Sequence, residues 1–95
     1  MDKITDKKLD KYLKLTSKAI KKVKLVKKGK VDFEKAGEDF LDMASRYYKD
    51  ALFFKEKGDF VTAFAAINYA HGWLDAGARL GLFDVNRDSR LFTVD

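Results

Sequence analysis

Fifteen consecutive residues, FVTAFAAINYAHGWL from Phe60 to Leu74, carry no Asp, Glu, Lys or Arg, in a chain of which 37% is charged. Drawn as a helix, this run is apolar on nearly every side. Phe60, Ala63, Phe64, Ile67, His71, Leu74 and Ala78 form one stripe. Ala66, Ala70, Trp73 and Gly77 form a second, and Ala65, Tyr69, Gly72 and Ala76 a third. Thr62, Asn68, Asp75 and Arg79 mark a single polar edge. A helix apolar all round is normally buried all round. The first stripe suffices to meet two neighbouring helices, so the others need different cover. Either the C-terminal tail and long lysine stems supply it, or the surface belongs to an interface. The second alternative makes Ala65, Ala66, Tyr69, Ala70, Gly72, Trp73, Ala76 and Gly77 candidate contacts for a homodimer or for another protein, a twofold dimer being the commonest closed solution.

The residues before this run prescribe its partner helix. Gly58 can end a helix in the left-handed conformation, and Asp59 can cap the next through the amide of Val61 or Thr62. So short a connection forces antiparallel helices. Upstream, Phe33, Ala36, Phe40, Met43 or Ala44, Tyr47, Ala51 and Phe54 repeat at helical spacing behind Asp32, a good N-cap. Gly37 weakens the first turns of this helix by about 1 kcal/mol relative to Ala, which predicts irregularity there. Earlier still, Leu9, Tyr12, Leu13, Thr16, Ala19, Ile20, Val23 and Val26 form an amphipathic stripe, with Thr5 or Asp6 as cap and Gly29 as terminator.

The expected fold class is all-α, a three-helix up-and-down antiparallel bundle with a short C-terminal extension. Helices are expected at about 6–28, 33–57 and 60–80 within a bundle spanning 1–83. The tail, 84–95, should turn at Asn86, Arg87, Asp88 and Ser89, extend over Leu91–Val94, and pack on the bundle or on a partner. The absence of Pro permits long helices, and the absence of Cys excludes disulfides and thiolate chemistry. The opening MDKITDKKLDKYL lacks the apolar core of a signal peptide, so a cytoplasmic location is expected. The uncharged run is too short for a membrane span, which needs about 20 apolar residues, and no membrane partner is expected.

Charge is distributed unevenly. Residues 1–31 hold twelve Lys against Asp2, Asp6 and Asp10, a balance of +9, and the remainder carries −4. Lys7, Lys11, Lys14, Lys18 and Lys21 follow one another at three- and four-residue steps. Such a ridge can track a phosphate backbone of RNA or DNA, and nucleic-acid binding is the alternative function. The first helix has no Arg, the residue best suited to base edges, and Lys enrichment is also a feature of hyperthermophile surfaces.

Catalytic and metal signals are sparse. His71 is the sole histidine, with Asp75 one turn later. Together with Tyr48, Asn68 and Arg79 they can form a small polar pocket. One imidazole and one carboxylate complete no closed metal site, so neither metal nor cofactor is expected, and a non-enzymatic role follows. The aromatics Tyr47, Tyr48, Phe53, Phe54, Phe60, Phe64, Tyr69 and Trp73 cluster around the 58–59 turn, at spacings usual for a core.

The stretch from Tyr47 to Phe83 resembles the short archaeal proteins grouped as domain of unknown function 357. The resemblance rests on YYxDAxxFxxKGD, Tyr47 to Asp59, and on the pattern A-x(5)-YAxGxLDAGxxLG, Ala63 to Gly81. It implies a three-helix up-and-down bundle and no assigned activity. A looser likeness runs to HEPN-type helical bundles, whose RNA-cutting members place an Arg a few residues before a His. Here the nearest Arg upstream of His71 is Arg46, which argues against nuclease activity.

Overall fold

A computed structural model describes residues 4–86, 88 and 90–92. Three helices follow in chain order, α1 (Asp6–Lys22), α2 (Phe33–Glu56) and α3 (Phe60–Leu80), and no strand occurs among the described residues. The chain is therefore all-α with three helices, the class its periodicities predict. Residues 1–30 and 31–95 form two separately compact units.

In the first unit, Thr5 caps α1 by accepting the Lys8 amide at 3.1 Å. Asp6 lies in the first turn and Lys21 and Lys22 in the last, an order that complements the helix dipole. Lys14 pairs with Asp10 at 3.2 Å, one turn apart. The helix stops at Lys22, where Val23 turns to an extended conformation, and not at residue 28 as the stripe predicts. Beyond that point the β-branched Val23 and Val26 and then Gly29 lower the helix propensity of the segment. Gly29 consequently terminates nothing, although its φ of 147° remains a glycine conformation.

The second unit is an αα-hairpin. Asp32 caps α2 through the Lys35 amide at 3.1 Å. At the other end Gly58 takes φ 80°, the Gly58 amide donates to the Lys55 carbonyl at 3.0 Å, and the Asp59 amide donates to the Phe54 carbonyl at 2.9 Å. These are the two bonds of a Schellman motif. Asp59 then caps α3, its carboxylate accepting from Thr62 at 3.1 Å. One dipeptide thus closes α2 and opens α3. The C-terminal end of α3 repeats the device. Gly81 has φ 81°, its amide reaches the Ala78 carbonyl, and the Leu82 amide reaches that of Gly77.

The seam between α2 and α3 is built from the smallest residues. Ala44, Ala51, Ala70 and Ala78 are buried there, with Gly37 from α2 and Gly77 from α3. No large side chain is fully buried among the described residues. This corrects the expected register of α3. Within its first stripe Ala78 is buried, Ala63 and Leu74 are half-buried, and Phe60, Phe64, Ile67 and His71 are exposed. Small residues on both helices let the backbones approach closely, and the large side chains are displaced to the two flanks.

Gly37 does not disturb α2, which runs unbroken through it. Its value lies in packing. A Cβ on Gly37 would stand 3.3 Å from the Leu82 carbonyl oxygen, and one on Gly77 would lie 2.8 Å from both Cδ2 and Cζ of Phe83. The two glycines form a socket that holds the chain immediately after α3. Beyond it, the Asp88 carboxylate accepts the Arg90 and Leu91 amides at 3.0 and 3.2 Å. Leu91 therefore sits in a turn and does not begin the expected extended piece. Arg87, Ser89, Thr93 and Val94 of that expectation lie outside the described residues.

The socket generates a quantitative expectation. Gly77→Ala should cost about 1–3 kcal/mol by overpacking against Phe83. Combined with Phe83→Ala, it should cost clearly less than the sum of the two single changes. Urea unfolding measures both, and an unchanged midpoint for Gly77→Ala would contradict the socket.

Candidate functional site

The seam leaves an apolar groove on one flank of the hairpin. Phe40 from α2 and Ala65, Asn68, Tyr69, Gly72, Trp73 and Ala76 from α3 line an open hollow of ≈ 520 Å³. Its wall is aromatic. The Phe40 and Trp73 rings meet edge to face, centroids 5.0 Å apart at 87°, and Tyr47 supports Tyr69 at 4.4 Å. The first is a favourable edge-to-face arrangement, and both contacts hold the wall in place without plugging it. Tyr69 remains 56% exposed, and Ala65, Asn68, Gly72 and Ala76 are exposed as well. Gly72 is the informative member. It lies inside α3, yet a Cβ there would meet nothing within 4 Å. Unlike Gly37 and Gly77, it serves no contact within the hairpin.

The expected interface set therefore divides. Ala65, Tyr69, Gly72 and Ala76 face outward, with Trp73 half-buried at the wall. Ala70 and Gly77 lie in the inner seam and Ala66 is half-buried, because the second stripe is the one α2 occupies. Phe40 belongs to the groove although its spacing reads as core. Its position one helical step from the seam is what carries it to the flank.

The opposite flank holds two further hollows, one lined by Leu41, Ser45, Tyr48, Ile67, His71 and Leu74 and the other by Tyr48, Leu52, Lys55, Phe60, Ala63 and Phe64. This arrangement breaks up the expected polar pocket. Tyr48 and His71 lie on this flank, whereas Asn68 lines the aromatic groove. His71 Nε2 stands 3.6 Å from Asp75 Oδ1, beyond hydrogen-bond length. Arg79 is exposed. Among the described residues no three His, Cys, Asp or Glu side chains gather to hold a metal ion, and no helix is long and apolar enough to cross a membrane. Lys7, Lys11, Lys14, Lys18 and Lys21 are all exposed along α1, with Lys14 engaged by Asp10.

These features define a small all-α protein that carries an aromatic groove on a helical hairpin. A family profile described as protein of unknown function (DUF357) matches residues 11–83. That span exceeds half of the chain, and the protein belongs to this family. The match begins inside α1, so it extends well upstream of the motifs at Tyr47–Gly81. No curated protein and no solved structure gives a significant match to the chain.

The loose His71–Asp75 pair predicts little dependence on the imidazole. His71→Ala should shift unfolding stability by less than about 0.5 kcal/mol, and zinc should leave the melting temperature of the native chain unchanged. A rise of several degrees at stoichiometric zinc, lost in His71→Ala, would contradict this assignment.

Proposed function

We propose that the protein is a non-catalytic protein-binding or assembly module that works through the outward face of α3. The observation that carries the reading is the groove walled by Phe40, Tyr69 and Trp73 on a helix free of charge from Phe60 to Leu74. Exposed aromatic side chains held by neighbours resemble the anchor residues of protein interfaces, where Trp and Tyr dominate binding energy. An apolar patch of this kind on a highly charged chain marks a contact surface more readily than a reaction centre.

The test is contact in the native cell. A photo-reactive phenylalanine in place of Tyr69 should give protein adducts, and the same probe at Lys49, on the outer side of α2, should give none. Adding Ala76→Glu should abolish the Tyr69 adducts while helix content by circular dichroism stays constant. Adducts from neither position, or equal adducts from both, would contradict a docking role for this face.

A further inference from the structure

We infer that the lysine ridge of α1 is a second binding site, one that holds the phosphate backbone of double-stranded nucleic acid without reading its sequence. The site is separate from the α3 groove and does not rest on the protein-binding reading. At 3.6 residues per turn, Lys7, Lys11, Lys14, Lys18 and Lys21 fall within about 80° of arc, and all of them are exposed. Leu9, Tyr12, Thr16 and Ile20 occupy the opposite side of the helix. Whatever covers that apolar stripe therefore leaves the ridge facing water.

The charge is not that of an ordinary solvated helix. Seven of the 17 residues of α1 are Lys, against two Asp and no Glu. Among the described residues, only Lys14 of the ridge has an ion-pair partner, Asp10. Lys24, Lys27, Lys28 and Lys30 follow before the next acid, Asp32. Surfaces enriched in Lys for heat resistance place it with acidic residues in ion-pair networks. α2 has that mixed character, with four basic side chains against six acidic and Arg46 bound to Asp42 at 2.9 Å. On α1 the like charges stand at three- and four-residue steps, which destabilises a helix, and a polyanion relieves the repulsion. From Lys7 to Lys21 the ridge runs about 21 Å, the length of about six phosphates along one strand of a duplex. With no Arg and no aromatic ring, this face matches phosphates but offers base edges no fork and bases no stacking platform. That favours a duplex over a single strand. An anionic bilayer would take in the apolar stripe and turn the ridge away from its headgroups.

Fluorescence anisotropy of the full chain with a labelled mixed-sequence duplex of about 20 base pairs, once as DNA and once as RNA, tests the site. With about four phosphates neutralised on DNA, affinity should fall about 150-fold between about 50 and 200 mM salt. Unrelated sequences of equal length should bind within about twofold of one another, because phosphate contacts carry no sequence information. Lys7→Gln, Lys11→Gln and Lys18→Gln together should lower affinity at least about tenfold and flatten the log–log salt slope by about 2.7, at unchanged or higher helix content by circular dichroism. The same change at Lys35, Lys49 and Lys55 of α2 removes equal charge and should leave the slope unchanged. Binding of either duplex alone upholds the site and identifies which backbone it takes. No binding to either duplex at about 50 mM salt, or equal losses from both triple variants, would overturn the ridge as the site. Binding to vesicles of anionic phospholipid, with none to the duplexes, would overturn it in favour of a membrane surface.

Discussion

The close approach of α2 and α3 along a seam of alanine and glycine is the constraint from which the rest of the hairpin follows. A seam without large side chains buries little apolar area per residue, yet it brings the two backbones near one another. It also decides where bulk must go. Phe40, Tyr47, Tyr69 and Trp73 are forced to one flank, and Leu41, Tyr48, Phe60, Phe64 and Ile67 to the other. The grooves are thus consequences of the seam. The glycine socket for Phe83 is part of the same economy, because Gly37 and Gly77 continue the seam to the open end of the hairpin and accept a ring where a methyl group would collide.

Backbone chemistry reinforces this geometry at the other end. Gly58 and Asp59 satisfy the last carbonyls of α2 and the first amides of α3 within two residues. The connection is too short to let the helices slide, so their register is set before any side chain meets across the seam. A hairpin of this kind rests on local contacts, which cost little loop-closure entropy. It positions an exposed aromatic wall on rigid helices, and a wall on rigid elements holds its shape better than one on loops.

Local rules made most of the fold legible from the residues. The caps at Thr5, Asp32 and Asp59 and the left-handed stops at Gly58 and Gly81 are each a one-residue signal with one physical outcome. The stripes also located α2 and α3 to within a residue. Features that depend on more than one element escaped. The end of α1 at Lys22 follows the low helix propensity of the segment after it, with Val23 and Val26 β-branched, which the apolar stripe does not weigh. The choice of the Ala70–Gly77 stripe for the seam, over the bulkier Phe60–Leu74 stripe, depends on matching small residues across two helices, and a single helix does not reveal this. The role of Gly37 and Gly77 is set by Phe83, which lies 46 positions beyond the first of them. The groove was half legible for the same reason. Tyr69, Gly72 and Ala76 stand out on one helix, whereas Phe40 joins them through packing between two.

Trp73 is the sole tryptophan of the chain, and it stands in the wall of the groove. Its fluorescence therefore reports directly on whether that wall stands open to solvent. The measurement is acrylamide quenching of this emission in the dilute purified protein. The account predicts efficient quenching, rising further in Phe40→Ala as the ring beside the indole is removed, at constant helix content. Quenching as low as that of a fully buried indole would contradict it.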